Sequence, residues 1–242
     1  MSPIDIVMTT WKREELTTLS LSVLEKNTNY PYRLILIDNG SKEDAREFYA
    51  QTADIYIKLD KNYGLEKAKN IGMDYVESDY FISTDNDILV PPEGPLTDNQ
   101  GDWLESLIML KDGLPEYAAI ALRPQTLVGT DDKKVFTDED SIITEFSHIP
   151  GYMRIMDTKL TKEAGAWGDK RPLRGHEELW ISNKFKEMGY KVGWATQLRC
   201  CHLFGEDNWG YGDLKPEEHG HIPIWPMPKD NFEYIKEHFL GE

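Results

Sequence analysis

Four short apolar runs separated by helix-patterned stretches restrict the first 90 residues to one kind of architecture. The runs are 4–8, 32–37, 55–59 and 80–83. Between them lie a stretch at 14–26 with Leu16, Leu19 and Val23 spaced i, i+3, i+7, a charged stretch at 42–52, and a third through Ala68, Ile71 and Tyr75. Such spacing buries one helical face, whereas a short continuous apolar run suits a strand covered on both sides. Strand and helix alternating through four strands predict an α/β fold, a mainly parallel, doubly wound sheet with helices on both faces. Ligands of such sheets sit beyond the carboxyl ends of the strands. Asp38 and the triplet Asp85-Asn86-Asp87 stand at two of those ends.

The triplet carries the chemistry. On near-extended backbone Asp85 and Asp87 point one way and Asn86 the other. Two converging carboxylates repel unless a cation lies between them, and Mg²⁺ favours sites shared by carboxylates and substrate phosphates. A metal-assisted enzyme acting on a phosphorylated donor follows as an expectation. On the tripeptide alone a β-turn is the simpler reading, since Asp and Asn are common turn residues.

The totals narrow the partners. At 242 residues, 40% hydrophobic and 11% aromatic, the chain has enough apolar material for a substantial core. A formal net charge of −16 argues against a nucleic-acid polymer as partner but leaves room for a nucleotide neutralised locally. No basic-headed apolar leader opens the chain, and no window reaches the roughly 20 apolar residues of a transmembrane helix. Cys200 and Cys201 are adjacent and form neither a disulfide framework nor a zinc pattern. A soluble, cytoplasmic protein is the expectation.

The second half is less regular. Residues 91–101 read as a loop or hinge, 103–110 as a helix, 118–122 as a strand, and 129–140 as an acidic turn or hairpin. Further strands are expected at 153–156, 190–194 and 197–203, and a helix at 179–188. A tail with several prolines carries Trp209, Tyr211 and Trp225 as candidates for stacking on the apolar faces of a ligand, and His219 and His221 as candidate lid contacts. With no repeat and no clear linker, 1–242 reads as one domain, in which 1–90 is expected to bind the phosphorylated donor and 91–242 to be the acceptor-binding and catalytic half.

Ile6-Val7-Met8-Thr9-Thr10-Trp11-Lys12-Arg13, Ile37-Asp38-Asn39-Gly40-Ser41, Asn62-Tyr63-Gly64-Leu65-Glu66-Lys67-Ala68-Lys69-Asn70-Ile71-Gly72 and Thr84-Asp85-Asn86-Asp87 occur in this order within 90 residues. Together they resemble the GT-A-fold glycosyltransferases, most closely the nucleotide-sugar transferases of family 2. Gly175-His176-Glu177-Glu178-Leu179-Trp180 resembles that family's acidic pair before a helix, and Cys201-His202 the segment that supplies a metal-binding histidine.

The resemblance implies a metal-dependent enzyme moving a sugar from a UDP- or GDP-sugar to a hydroxyl of a saccharide or glycoconjugate, with Mn²⁺ or Mg²⁺ as cofactor. It implies that Asp87, with Asp85 and His202, holds the cation. Thr9, Trp11, Arg13, Asp38, Asn62, Gly64, Lys69, Asn70, Asp85 and Asn86 would line the nucleotide-sugar site. Lys69 replaces the usual arginine; a lysine still holds phosphate as a point charge but lacks the bidentate fork. Glu178 takes the place of the general base, most often an aspartate, and Glu177 binds or positions the acceptor. Inversion with Glu178 as base is the expected course. A retaining transferase of the same fold, a nucleotidyltransferase and a non-catalytic nucleotide-sugar-binding module remain open at this point.

Overall fold

The apolar run that opens the chain lies inside the sheet. The computed structural model describes residues 2–41, 46–90, 101–125, 142–151, 153–168 and 177–202. In chain order the elements are β1 (Ile4–Thr10), α1 (Glu14–Asn27), β2 (Tyr32–Asp38), α2 (Arg46–Thr52), β3 (Ile55–Lys58), α3 (Leu65–Met73), β4 (Tyr80–Asp85) and β5 (Ile88–Leu89). There follow α4 (Trp103–Gly113), β6 (Tyr117–Gln125), β7 (Ile143–Glu145), β8 (Arg154–Asp157), α5 (Thr158–Glu163), α6 (Glu177–Glu187) and β9 (Lys191–His202).

β1 is buried at every position and lies between β2 and β4, parallel to both, with β3 parallel on the far side of β2. Covered on both faces, such a strand needs no polar side, which is why its sequence shows little alternation. Beyond β4 the direction changes: β8 is antiparallel to β4 and to β6, while β9 is parallel to β6 and antiparallel to β5 and β7. The expected parallel, doubly wound portion is thus β3-β2-β1-β4, and the second half extends the same sheet with mixed strands.

Alternate strand residues feed two apolar layers. Ile6, Met8, Leu34, Leu36 and Ile82 pack with α1 (Leu19, Val23) and α4 (Trp103, Leu107). Val7, Ile35, Ile37 and Phe81 pack with α3 (Ala68, Met73) and α6 (Ile181, Phe185). Gly72 lets α3 approach β1 closely: a Cβ there would stand 2.4 Å from Val7 Cγ1. Lys69, one turn earlier on the same helical face, is carried over the strand ends by this contact.

The helix expected at 42–52 is described from Arg46, and residues 42–45 lie outside the described residues. The segments expected at 190–194 and 197–203 form one strand, β9. α5, β5 and β7 were not anticipated. The hinge at 91–100, the hairpin at 129–140 and the tail with Trp209, Tyr211, His219, His221 and Trp225 lie outside the described residues. No described helix is long and apolar enough to cross a membrane.

Candidate active site

β4 ends at Asp85, and a turn through Asn86 and Asp87 leads into β5. The triplet forms the turn that its residues suggest. Asn86 faces inward, its amide nitrogen donating to Thr10 Oγ1 at 3.0 Å and Thr17 Oγ1 at 2.7 Å. Its backbone carbonyl accepts from Ser20 Oγ at 3.0 Å. Asn86 thereby ties the turn to α1 and leaves the two acids to face elsewhere.

Asp87 lies between two basic groups. Arg13 Nη1 donates to its Oδ2 at 2.8 Å, and His202 Nε2 stands 3.6 Å from Oδ1. His202 arrives because the last residue of β9 pairs with Ile88 of β5. Burial opposes the Asp87 charge, but His202 and Arg13 outweigh it and hold this carboxyl below its usual range. Burial likewise opposes the charged His202 ring, and Asp87 overrides it, raising the imidazole.

On the opposite flank Asp85 meets the start of α6. Lys69 Nζ lies 3.4 Å from Asp85 Oδ1, 3.3 Å from Glu177 Oε1 and 3.3 Å from the Gly151 carbonyl oxygen. The Gly151 N–H donates to Glu178 Oε1 at 3.1 Å. A Cβ at Gly151 would come within 2.8 Å of Glu178 Oε1, 3.1 Å of Glu177 Oε1 and 3.4 Å of Asp85 Oδ2, so three acids crowd one glycine. Burial raises Asp85, Lys69 opposes this and Asp87 adds to it; the side chain stays 30% exposed, and water tempers the shift. Burial also works against Glu177, yet Lys69 and Arg154 bring it below its ordinary value. Glu178 behaves oppositely. Burial and then the Glu177 charge, against Lys69 and Arg154, push it up to about 7.

The loops after β1, β2 and β3 form a braced rim. Asp38 is buried, accepting from the Ser41 N–H at 2.8 Å and the Tyr56 hydroxyl at 3.3 Å, with Lys58 Nζ 3.8 Å away. Asn62 Oδ1 accepts from Asn39 Nδ2 at 3.0 Å and from the Gly64 N–H at 2.8 Å. Asn62 and Gly64 thus shape this loop ahead of α3. Thr9 is buried beside Asp85 in the β1–β4 register, and its hydroxyl has no hydrogen-bond partner among the described residues. Lys12 and Arg13 both adopt left-handed backbone (φ 58° and 57°), with the Lys12 N–H bound to Ser41 Oγ at 2.8 Å. The Lys12 ammonium lies 4.7 Å above the Trp11 ring. Asn70 turns toward Gly168, donating to its carbonyl at 2.9 Å and accepting from the Trp167 N–H at 3.1 Å.

Asp85, Asp87, His202, Arg13, Lys69, Glu177 and Glu178 therefore gather at the strand ends from five segments of chain, with Thr9 beside them. Asp38, Asn62 and Gly64 stand together on the rim, while Asn86 and Asn70 serve as internal ties. Arg154, Gly151 and Asn39 were missed as site residues. Arg154 had a visible signal, a cation within the apolar run Met153-Arg154-Ile155-Met156, which requires compensation when buried. It is 0% exposed, donates Nη1 to the Pro150 carbonyl at 3.2 Å and lies 5.6 Å from the Trp167 ring.

Among the described residues no three His, Cys, Asp or Glu side chains converge into a ready-made metal cage. The donor set nevertheless fits a hard divalent cation. Asp87 is held ionised, His202 offers one imidazole beside it, and Asp85 Oδ1 is a buried oxygen without a hydrogen bond. Such ions take one or two carboxylates and complete their shell with water and substrate phosphates.

Comparison with known proteins places these features in context. The family model described as glycosyl transferase family 2 matches residues 5–174, more than half of the chain. An undecaprenyl-phosphate 4-deoxy-4-formamido-L-arabinose transferase of Yersinia enterocolitica is 30% identical over 103 residues, 37% of this chain and 30% of its own length. A teichoic acid poly(glycerol phosphate) polymerase of Staphylococcus epidermidis is 28% identical over 93 residues, 36% of this chain and 13% of its own. The matches thus span under a third of these curated relatives. Among solved structures, the mannosyltransferase PcManGT from Pyrobaculum calidifontis, in complex with GDP-Man and Mn²⁺, superposes with a TM-score of 0.64 at 15% identity, over 84% of this chain and 57% of that one. S. aureus TarS 1–349 in complex with UDP gives 0.64 at 13% identity, over 83% and 60%. At such identities the likeness concerns the fold, which is GT-A.

Proposed function

The chain belongs to glycosyl transferase family 2, and we propose that it moves a sugar from a UDP- or GDP-linked donor to a hydroxyl of a saccharide or glycoconjugate acceptor, with inversion. The observation that carries this reading is the divided acid cluster. Asp87, paired with Arg13 and beside His202, stays ionised on one flank, while Glu178, which accepts from the Gly151 N–H and is pushed up to about 7 by burial and the Glu177 charge, stands on the other. A carboxyl tuned near the working pH suits a general base better than an ordinary one, because it both accepts and releases a proton readily.

In the proposed reaction Glu178 takes the proton of the acceptor hydroxyl. The acceptor oxygen bonds to the anomeric carbon on the face opposite the diphosphate, and the anomeric C–O bond breaks with its electron pair leaving on the diphosphate. Glu177, fixed by Lys69, orients the start of α6 and thereby Glu178. Arg13 meets the diphosphate from the loop after β1, and Asp38 accepts hydrogen bonds from base or ribose. Thr9 offers its hydroxyl beside Asp85, and Trp11 flanks the nucleotide. A divalent cation, Mn²⁺ or Mg²⁺, held by Asp87 with Asp85 and His202, would supply Lewis-acid neutralisation of the departing charge. That the solved neighbours bind GDP-Man with Mn²⁺, or UDP, supports a donor of this class.

The test is a panel of UDP- and GDP-sugars with Mn²⁺, scored for nucleotide release and transfer. Glu178→Gln is expected to keep Mn²⁺-dependent binding of the nucleoside diphosphate and to lose turnover by about 100-fold or more. Absence of both binding and turnover in the wild type would remove the reading. Retention of the anomeric configuration in the product, read by NMR, would replace inversion with the retaining course.

A further inference from the structure

We propose that Lys69 is a positioning residue joining the donor-side carboxylate Asp85 to the acceptor-side pair Glu177–Glu178, and that it is not a ligand of the donor phosphates. The inference rests on the transferase reading above and departs from the phosphate-holding role that the family pattern suggests for this position.

Its basis is the set of groups that enclose one buried ammonium. Lys69 Nζ donates to Glu177 Oε1 at 3.3 Å and to the Gly151 carbonyl at 3.3 Å, and lies 3.4 Å from Asp85 Oδ1, an ion pair that is not a hydrogen bond. The side chain is 0% exposed, so no face of it meets solvent or an incoming anion. All three distances exceed the roughly 2.7–2.9 Å of a dedicated charged pair, as expected for a cation shared among acceptors.

A second cation frames the first. Arg154 is also fully buried, and among the described residues its Nε and Nη2 have no hydrogen-bond partner, so its charge acts through space on Glu177, Glu178 and Asp85. Three carboxylates thus share two buried cations. Of these, Lys69 touches both flanks of the site. Any ligand that draws Asp85 outward leaves the ammonium to Glu177 and the Gly151 carbonyl, and Glu177 adjoins the proposed base. Occupancy on the donor side is thereby transmitted to the acceptor side through one side chain.

The experiment measures two quantities for wild type, Lys69→Met, Lys69→Arg and Glu177→Gln. One is the affinity for UDP and for GDP in the presence of Mn²⁺, by calorimetry. The other is kcat for nucleotide release from whichever donor the wild type uses. Lys69→Met is expected to bind nucleoside diphosphate within about 3-fold of wild type while kcat falls on the order of 100-fold. Lys69→Arg, still cationic, recovers part of kcat. In the double variant Lys69→Met/Glu177→Gln the two losses do not add, as befits residues acting as one unit. If Lys69→Met does not fold, this double variant, which deletes both charges of the bridge, is measured in its place with the same expectation for binding.

A drop of about 10-fold or more in UDP and GDP affinity with kcat preserved would make Lys69 a phosphate ligand and overturn the inference. Strictly additive losses in the double variant would overturn it as well. The parent reading fails separately: a wild type that neither binds nucleotide nor turns over takes both proposals down.

Discussion

Burial and the Glu177 charge outweigh Lys69 and Arg154 and push the Glu178 carboxyl up to about 7. Two outcomes follow with definite sign. The base form accumulates as pH rises, so kcat/KM should climb through a limb centred near 7. Stability runs the other way. The folded-state value lies above the ordinary 4.5, so the stability that the protonated form confers is full below 4.5 and is lost as pH rises through about 7. Glu178→Gln, which cannot ionise, should therefore melt higher than wild type at pH 8 and nearly level with it at pH 4; a lower melting temperature at pH 8 would contradict the charge assignment. Asp87→Ala separately tests the other flank. It should abolish the Mn²⁺ dependence of UDP or GDP binding in a titration with and without the metal.

At this scale the acids were legible in the sequence and the cations only partly so. Asp85, Asp87 and Asp38 follow apolar runs, and Glu177–Glu178 open a helix, so position alone marks them. The enclosure of Lys69 depends on Gly151 and Glu177, respectively 82 and 108 residues away, and no local pattern reports such contacts. Arg154 announced itself by charge within an apolar run, but its partners lie on other elements.

Among the elements, α3 places the cation and β1 sets its height. Gly72→Ala puts a Cβ 2.4 Å from Val7 Cγ1 and must lift the helix or displace the valine. Overpacking of this kind costs about 1–3 kcal/mol, so the melting temperature should fall and kcat with it; Gly72→Ala/Val7→Ala should regain part of both losses. A Gly72→Ala variant with wild-type melting and turnover would show that the close approach matters little. The strands and helices of the first 90 residues were readable because each is long enough to display its period. β5 and β7, with two and three residues, are not. β9 reads as two segments for a physical reason: its pairing with β6 jumps from Ala195–Leu122 to Arg199–Arg123, so residues 196–198 fall out of register at the point where the apolar pattern breaks.

For the molecule as a whole, the formal charge of −16 acts on every charged site at once. Self-repulsion in a compact acidic body weakens the folded state and is screened by salt, whose reach falls from about 30 Å at 0.01 M to about 8 Å at 0.15 M. Melting temperature at pH 8 should accordingly rise between those two ionic strengths, and a fall would indicate that attractive pairs dominate. Sequence alternation was enough to predict that β1 to β4 are strands of a mainly parallel sheet, and the structure supplies their order, β3-β2-β1-β4. It was silent on the antiparallel continuation, since β8 reaches β4 across about 70 residues of chain and brings Gly151 and Arg154 with it.

The left-handed bend at Lys12 and Arg13, fastened to Ser41, has a kinetic corollary. Backbone that side-chain-bearing residues seldom visit is already in place before any ligand arrives, so the guanidinium needs no loop search to find its anion. Capture of a nucleoside diphosphate in stopped-flow should then be one exponential phase whose rate scales linearly with ligand, and loosening the clasp with Ser41→Ala should introduce a slower, concentration-independent step.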